Sequence, residues 1–401
     1  MKKKVFYIAQ YFTPEPYLKD IQFVKDLQNK GFDVTVITGY PNYPQGKIYS
    51  GFKNSLFSEE LMDGVPVIRT FTYADHSTSA IKRALNYLVF GLFAALAIVK
   101  YGKKNSFYYI LQSSPFVLLC AWAVRLFKPK SKLLLDIQDV FPENIRVSGF
   151  IKSEGIISFI DWILNTFYYS CFDLFVTVSQ SFRKIVISKG IAEKNVHTIY
   201  NWSMVESDSS QVEKYSFDAD RINIIYAGNI GVHQGLSKLA EGFKIIEKEI
   251  PQVHFHFFGD GTDFVALESA SISLENVTLH GRVSSKEIVK YLYAADILFL
   301  HLIKDPIYEC IIPSKLQAYV EVGKPILGGI EGEARALVTD NQLGEVFEPE
   351  NNIDFAASVK NVCENYRIEF QAIRDRSEKL YKNDFSRMAG INKIVRILEN
   401  D

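Results

Sequence analysis

Short apolar runs alternate with helical patterns along the whole chain, and the alternation runs through twice. Val5–Gln10, Phe32–Thr38, Val65–Thr70, Tyr108–Gln112, Lys132–Ile137 and Leu174–Val178 read as strands. Asp20–Lys30 between the first two carries Ile21, Val24 and Leu27 at helical spacing and ends at Gly31. The segment Ser179-Gln180-Ser181 starts another helix. The pattern restarts with strands at Ile222–Tyr226, Val253–Phe258, Val277–His280, Ile297–Leu302, Pro325–Gly328 and Gly344–Phe347. Helices are expected at Ser237–Glu249, at Pro313–Val322 with Gly323 as its stop, and at Phe385–Leu398. Strands that alternate with helices form parallel sheets covered on both faces. A chain of 401 residues is too long for one small core. The expectation is an α/β chain of two parallel-sheet domains, 1–205 and 206–384. They are joined near the polar stretch Asn201–Ser216, and 385–401 packs back on the first domain.

The net charge of −1 conceals an asymmetry. Residues 1–200 hold 24 Lys and Arg against 15 Asp and Glu, and the remainder holds 21 against 31, so the halves carry +9 and −10. The near-neutral total speaks against a nucleic-acid surface. The basic half also has the longest apolar runs. Ala84–Val99 is 16 residues, short of the roughly 20 that a spanning helix needs. Lys82 and Arg83 precede it, and Lys100, Lys103 and Lys104 follow. Phe116–Phe127 is similar, with Arg125, Lys128, Lys130 and Lys132 in and after it. Positive charge at both ends of an apolar helix suits an anionic membrane surface, so contact through 82–132 is set against the plainer reading of two buried helices. Cys120, Cys171, Cys310 and Cys363 form no Cys-x-x-Cys pair and read as free thiols of a reducing compartment. Met1-Lys2-Lys3-Lys4 leads straight into the first strand rather than a signal peptide, and a cytoplasmic location is expected.

Ligands of open parallel sheets bind beyond the carboxyl ends of the strands. In the second half those ends carry Gly228–Gly235, Gly259–Thr262, Gly281–Ser284 and Glu309–Ser314. Glycines there let backbone amides approach a phosphate. Pro313-Ser314-Lys315 opens a helix whose first amides, with a hydroxyl and an ammonium, suit a diphosphate. In the first half, Asp136, Asp139 and Glu143 lie at and after a strand end, where a carboxylate can act as acid or base. The Tyr- and Pro-rich loop Pro41–Phe52, with Tyr43, reads either as aromatic faces for a ligand or as a packed surface loop. His254 and His256 alternate along one strand, and no His/Cys cluster has metal-ligand spacing.

The wording and order of these segments resemble glycosyltransferase family 4, in its bacterial capsule and O-antigen branch. The likeness is carried by YAGNIGVHQGL, FFGDGTDF, LHGRVSSKEIVKYLYAADILFL and IPSKLQAYVEVGKPIL in the second half. QYFTPE, DIQDVFPE and FVTVSQSFRKIVISKGI carry it in the first. The resemblance implies the GT-B architecture, two Rossmann-like domains facing across a cleft, with retention at the anomeric carbon and no metal or other cofactor. It implies that Asn229, Gly231, His233 and Gln234 meet the donor diphosphate. Most members have Arg and Lys where Asn229 and Gln234 stand, so Arg282, His233 or Lys315 must supply the positive charge. Arg282 and Val283 resemble the segment beside the base, and Ser314 and Lys315 the diphosphate and donor-sugar loop. Two family glutamates, separated by seven residues, correspond to Cys310 and Ala318. Glu309 and Gln317 keep that spacing one residue early, and Glu331 and Glu333 are the nearest carboxylates for the ribose. Asp139 is the expected acid–base residue, with Glu143 beside it, and Glu15 resembles a residue facing the cleft. Tyr17-Leu18-Lys19 replaces the usual glycine pair after it.

The activity so implied is transfer of a sugar from a UDP-sugar to an undecaprenyl-diphosphate-linked saccharide in capsule or O-antigen synthesis. The branch points to an N-acetylated 6-deoxyhexose such as N-acetyl-L-fucosamine, and to work at the inner face of the plasma membrane. A nucleotide-sugar 2-epimerase of the same fold and a non-catalytic partner subunit are the competing expectations.

Overall fold

The computed structural model describes residues 2–75, 79–141, 153–203, 205, 213 and 215–400. The chain folds as two compact units, one of residues 1–200 with 391–401 and one of 201–390.

The first unit is built on an eight-stranded sheet. Its strands are β1 (Lys4–Ala9), β2 (Asp33–Gly39), β3 (Phe57–Met62), β4 (Val65–Thr70), β5 (Phe107–Leu111), β6 (Lys132–Ile137), β7 (Leu174–Thr177) and β8 (Val196–Thr198). They lie in the order β3-β4-β2-β1-β5-β6-β7-β8. All neighbours are parallel except β3, which runs antiparallel to β4 at the edge. Central strands such as VFYIA and LLLDI are buried end to end, as a sheet covered on both faces requires. Helix α1 (Ile21–Asn29) starts where Asp20 accepts the amides of Gln22 and Phe23 at 2.9 and 3.3 Å.

The apolar run is longer than its sequence core. Helix α2 (Ala80–Tyr101) has 22 residues and, among the described residues, is the one helix long and apolar enough to cross a membrane by length and composition. One stripe of it (Phe90, Ala94, Ala97, Ile98) is buried. Gly91 allows α2 to cross the following apolar helix, because a Cβ there would stand 2.5 Å from the Phe116 carbonyl oxygen. That helix is α3 (Leu118–Phe127).

The second unit has a six-stranded, wholly parallel sheet of β9 (Ile222–Ala227), β10 (Val253–Phe258), β11 (Val277–Gly281), β12 (Ile297–His301), β13 (Ile326–Gly329) and β14 (Gly344–Phe347). Their order is β11-β10-β9-β12-β13-β14. Phe243, Phe255, Phe257, Phe299, Phe347 and Phe355 pack edge-to-face and stacked in its core. Each sheet therefore changes winding direction once, at β1/β5 in the first unit and at β9/β12 in the second, and a crevice at such a point is where ligands of this fold class bind.

Candidate functional site

Three loops at the carboxyl edge of the second sheet are zipped together by backbone hydrogen bonds. The Gly228 amide donates to the Phe258 carbonyl at 2.8 Å, the Ile230 amide to Asp260 at 2.9 Å, and the Gly259 amide to Gly281 at 2.8 Å. Only glycine fits this contact. A Cβ on Gly259 would fall 1.8 Å from the Gly228 oxygen, and one on Gly261 2.4 Å from the Ile230 oxygen. Gly228, Gly259 and Gly261 also have φ of 132°, 150° and 156°.

Against this zipped edge lies Lys315, near the start of helix α4 (Ser314–Val322). Its stem packs on Gly228, where a Cβ would meet Cε at 2.6 Å and Nζ at 3.0 Å. Its ammonium stands 5.0 Å from the centroid of the Tyr226 ring. Burial draws the ammonium down to about 8. Among the described residues no carboxylate forms an ion pair with it, so a withdrawn cation faces a glycine edge beside a helix N-terminus. That arrangement suits an anion by charge and by geometry.

Asn229 and Gln234, which stand in place of two cations, hold each other. The Asn229 amide donates to Gln234 Oε1 at 3.0 Å, and the Gly231 backbone amide donates to the same oxygen at 3.1 Å. The loop is thus closed by a neutral clasp, which no single-residue reading revealed although the spacing allows it. His301, at the end of β12, was not singled out from sequence and holds the clasp from below. Its Nδ1 donates to the Gln234 carbonyl at 2.5 Å, and its Nε2 accepts the Glu350 amide at 3.1 Å. Burial holds this imidazole at about 4, so it stays neutral. His233 is exposed, its ring 6.0 Å from that of Tyr308. Arg282 is exposed just after the zipped Gly281, with the half-buried Val283 next to it.

The carboxylates converge in part. Gly332 has φ 61°, and a Cβ on it would stand 2.0 Å from the Glu309 oxygen, so the backbone of Glu309 touches the turn holding Glu331 and Glu333. Lys304 lies 3.8 Å from Glu331 and 2.7 Å from Glu348. Gln317 is buried, 6% exposed, in α4. Ser314 is exposed at the helix start.

In the first unit the edge is built from different groups. Glu15 lies inside the first unit. It is 3% exposed and accepts the amides of Phe12, Asn42 and Tyr43 at 3.0, 2.7 and 2.8 Å, which pins the Tyr43 loop to the first turn. Asp136 is fully buried, ion-paired to Lys19 and hydrogen-bonded to the Tyr109 hydroxyl, with Gln138 donating to its other oxygen at 2.7 Å. It is a structural anchor. Asp139, just beyond the end of β6, is exposed, and its charge bears on Tyr17 and Tyr87. Glu143 lies outside the described residues. Among those residues no group of three or more His, Cys, Asp or Glu side chains is placed to hold a metal ion.

Comparison with known proteins fits this geometry. Residues 207–383, which contain the zipped loops and Lys315, match the family described as glycosyl transferases group 1. The chain is 24% identical over 265 residues to the probable glycosyltransferase WbjE of Pseudomonas aeruginosa, covering 63% of this chain and just under two thirds (65%) of that relative. It is 26% identical over 347 residues to the putative colanic acid biosynthesis glycosyl transferase WcaI of Escherichia coli K12, covering 81% of each. Among solved structures, Anabaena Alr3699/HepE in complex with UDP superposes with a TM-score of 0.68 at 14% identity, over 100% of both chains. An E. coli trehalose-6-phosphate protein bound with UDP-2-fluoro glucose superposes with a TM-score of 0.74 at 9% identity, over 100% of this chain and 99% of that one. The chain thus has the GT-B fold of two Rossmann-like units, and residues 207–383, most of its second unit, resemble glycosyl transferases group 1.

Proposed function

We propose that this protein is a retaining glycosyltransferase that moves a sugar from a UDP-sugar to a lipid-linked saccharide during synthesis of a bacterial surface polysaccharide. The observation that carries the donor half is Lys315, a cation with no ion-pair partner among the described residues, withdrawn beside the Gly228 edge and the start of α4. A diphosphate there gains a charge-assisted bond and the first amides of α4. As the sugar–phosphate bond breaks, negative charge grows on the diphosphate, where these fixed donors stabilise it more than in the ground state. Asp139 takes the proton of the attacking acceptor hydroxyl, and the acceptor enters on the face that the diphosphate leaves. Glu333 or Glu331 accepts the ribose hydroxyls. The names of the relatives, a colanic acid transferase among them, and the UDP bound by the structural neighbours support this reading. An N-acetylated 6-deoxyhexose is the proposed sugar.

The acceptor's lipid explains the outer face of the first unit. Ile81, Leu85, Leu88, Leu92, Leu96 and Val99 form an exposed stripe at three- and four-residue spacing along α2, and Trp122, Leu126 and Phe127 are exposed on α3. Lys82, Arg83, Lys103, Lys104 and Lys128 flank them. The other side of α2 packs into the unit, with Asn86 bonded to Gln10 at 2.5 Å. We read α2 as lying on an anionic leaflet, not crossing it, which puts the enzyme at the inner face of the membrane.

The test is incubation of the protein with UDP-sugars and polyprenyl-diphosphate-linked saccharides. UDP release that needs the acceptor supports the transferase. Interconversion of sugars without acceptor supports an epimerase, and failure to bind UDP supports a non-catalytic subunit. Sedimentation with anionic vesicles, lost in high salt, tests the surface; equal sedimentation with neutral vesicles contradicts its electrostatic part.

A further inference from the structure

The winding switch of the second sheet is bridged by a side chain. Where β9 and β12 pair, Ile224 lies opposite Ile297 and Ile225 opposite Leu298. In a parallel ladder of that register, the next rung joins the Ala227 amide to the Phe299 carbonyl. The hydroxyl of Tyr319 stands in that rung. It accepts from the Ala227 amide at 3.3 Å and donates to the Phe299 carbonyl at 2.9 Å. Tyr319 is 1% exposed, and burial pushes its phenol up, so the oxygen keeps the proton that it donates. One hydroxyl thus satisfies the two backbone groups that face each other where the strands diverge.

The same side chain belongs to the helix that carries Lys315. Lys315 and Tyr319 are four residues apart on α4, so they share one face of it. Tyr226, the residue before Ala227, meets both. The Lys315 ammonium stands 5.0 Å from its ring centroid, and burial, followed by the nearby Tyr319, pushes its phenol up. The residue after Ala227 is Gly228, whose missing Cβ leaves room for the Lys315 stem. Helix α4 is therefore pinned to β9 one residue away from the place where its lysine lies. Loss of the pin frees α4 to shift against Gly228, and the ammonium shifts with it. The ring of Tyr319 fills space in the core, whereas the hydroxyl supplies the bridge, so removal of one oxygen separates the two roles.

We propose that Tyr319 is a positioning residue of the donor site: its hydroxyl, set into the β9–β12 ladder, fixes α4 so that the Lys315 ammonium stays against Gly228. This rests on the reading of Lys315 as the cation of the diphosphate and adds the residue that places it.

The experiment compares the wild type with Tyr319→Phe, which keeps the ring and removes the bridge. Competitive acetylation of lysines with acetic anhydride across pH, read by peptide mass spectrometry, follows the Lys315 ammonium with no nucleotide present. Isothermal titration calorimetry follows UDP. The wild-type ammonium is expected to titrate at about 8. In Tyr319→Phe its titration moves up toward the ordinary lysine value as water reaches it, UDP binds about tenfold more weakly, and the second unit still melts cooperatively. A Lys315 titration that stays at the wild-type value overturns the proposal, whatever the change in stability, and leaves Tyr319 as a brace of the sheet. A variant that no longer folds overturns it too, because the bridge then serves the sheet before the site. A titration that moves while UDP binding is absent or unchanged contradicts the donor reading and upholds the positioning of Lys315 by Tyr319.

Discussion

The two units follow one plan, a parallel sheet with a single winding switch, yet they equip its carboxyl edge in opposite ways. The second unit uses glycine, backbone amides, a helix start and one withdrawn lysine. The first uses tyrosines and a carboxylate. A diphosphate is small, charged and best held by close backbone approach, so side chains must be absent. A neutral sugar presents faces and hydroxyls, so side chains must be present. The net acidity of the second half sharpens the contrast: its anion site depends on one local cation and not on a general field.

The largest effects break the scaffolds selectively. Gly259→Ala places a Cβ into the Gly228 carbonyl and is expected to cost on the order of 4 kcal/mol, with the second unit melting early in differential scanning calorimetry. Lys19→Met leaves Asp136 as an uncompensated buried charge and should cost about 3–5 kcal/mol in the first unit. Lys19→Met with Asp136→Leu should recover most of that loss. A double variant as unstable as the single one would mean that the pair matters for more than charge.

Next comes the anion site. Lys315→Met should weaken UDP binding about ten- to a hundredfold by isothermal titration calorimetry. The wild-type ammonium titrates at about 8 when free, so it is charged below that pH and neutral above it. UDP affinity should therefore fall as pH rises past 8, with proton uptake on binding at alkaline pH. A pH-independent affinity over that range would remove Lys315 from the site.

The units should also differ in acid. His301 and His256 are held by burial at about 4 and about 3, below the free value near 6.5. The unfolded chain binds more protons between those values, so stability rises with pH there and is lost as pH falls from about 6.5 toward 4. Hydrogen exchange at pH 4.5 should open the second unit before the first. The smallest effect is expected of Arg282→Ala, an exposed cation, at about two- to fivefold in UDP affinity and less in high salt.

Much of the scaffold was legible because the central parallel strands are mostly apolar: β4, β6 and β10 begin and end where their expected runs do, and so does β14, although GEVF is half-exposed. Phe57–Met62 escaped because FSEELM is an edge strand, half-exposed and acidic, and Val196–Thr198 because three residues carry no period. The helix Asn352–Leu380 escaped too, since its apolar face is sparse. At the site, Lys315 and the glycine loops could be read from position at strand ends. Pairings could not: Lys19 with Asp136, Glu15 with the Asn42 and Tyr43 amides, and His301 with the Gln234 carbonyl all join distant segments. The burial of Gln317 could not be read from its spacing along the helix, which does not say which side faces the core.

The division of labour is tested most directly by amide hydrogen exchange of the full chain with and without UDP. The account predicts slowed exchange at 228–235, 259–263 and 314–317, with the strand-end loops 10–19 and 112–114 unchanged. Protection at those first-unit loops instead, or no protection at the three glycine and helix-start segments, would contradict it.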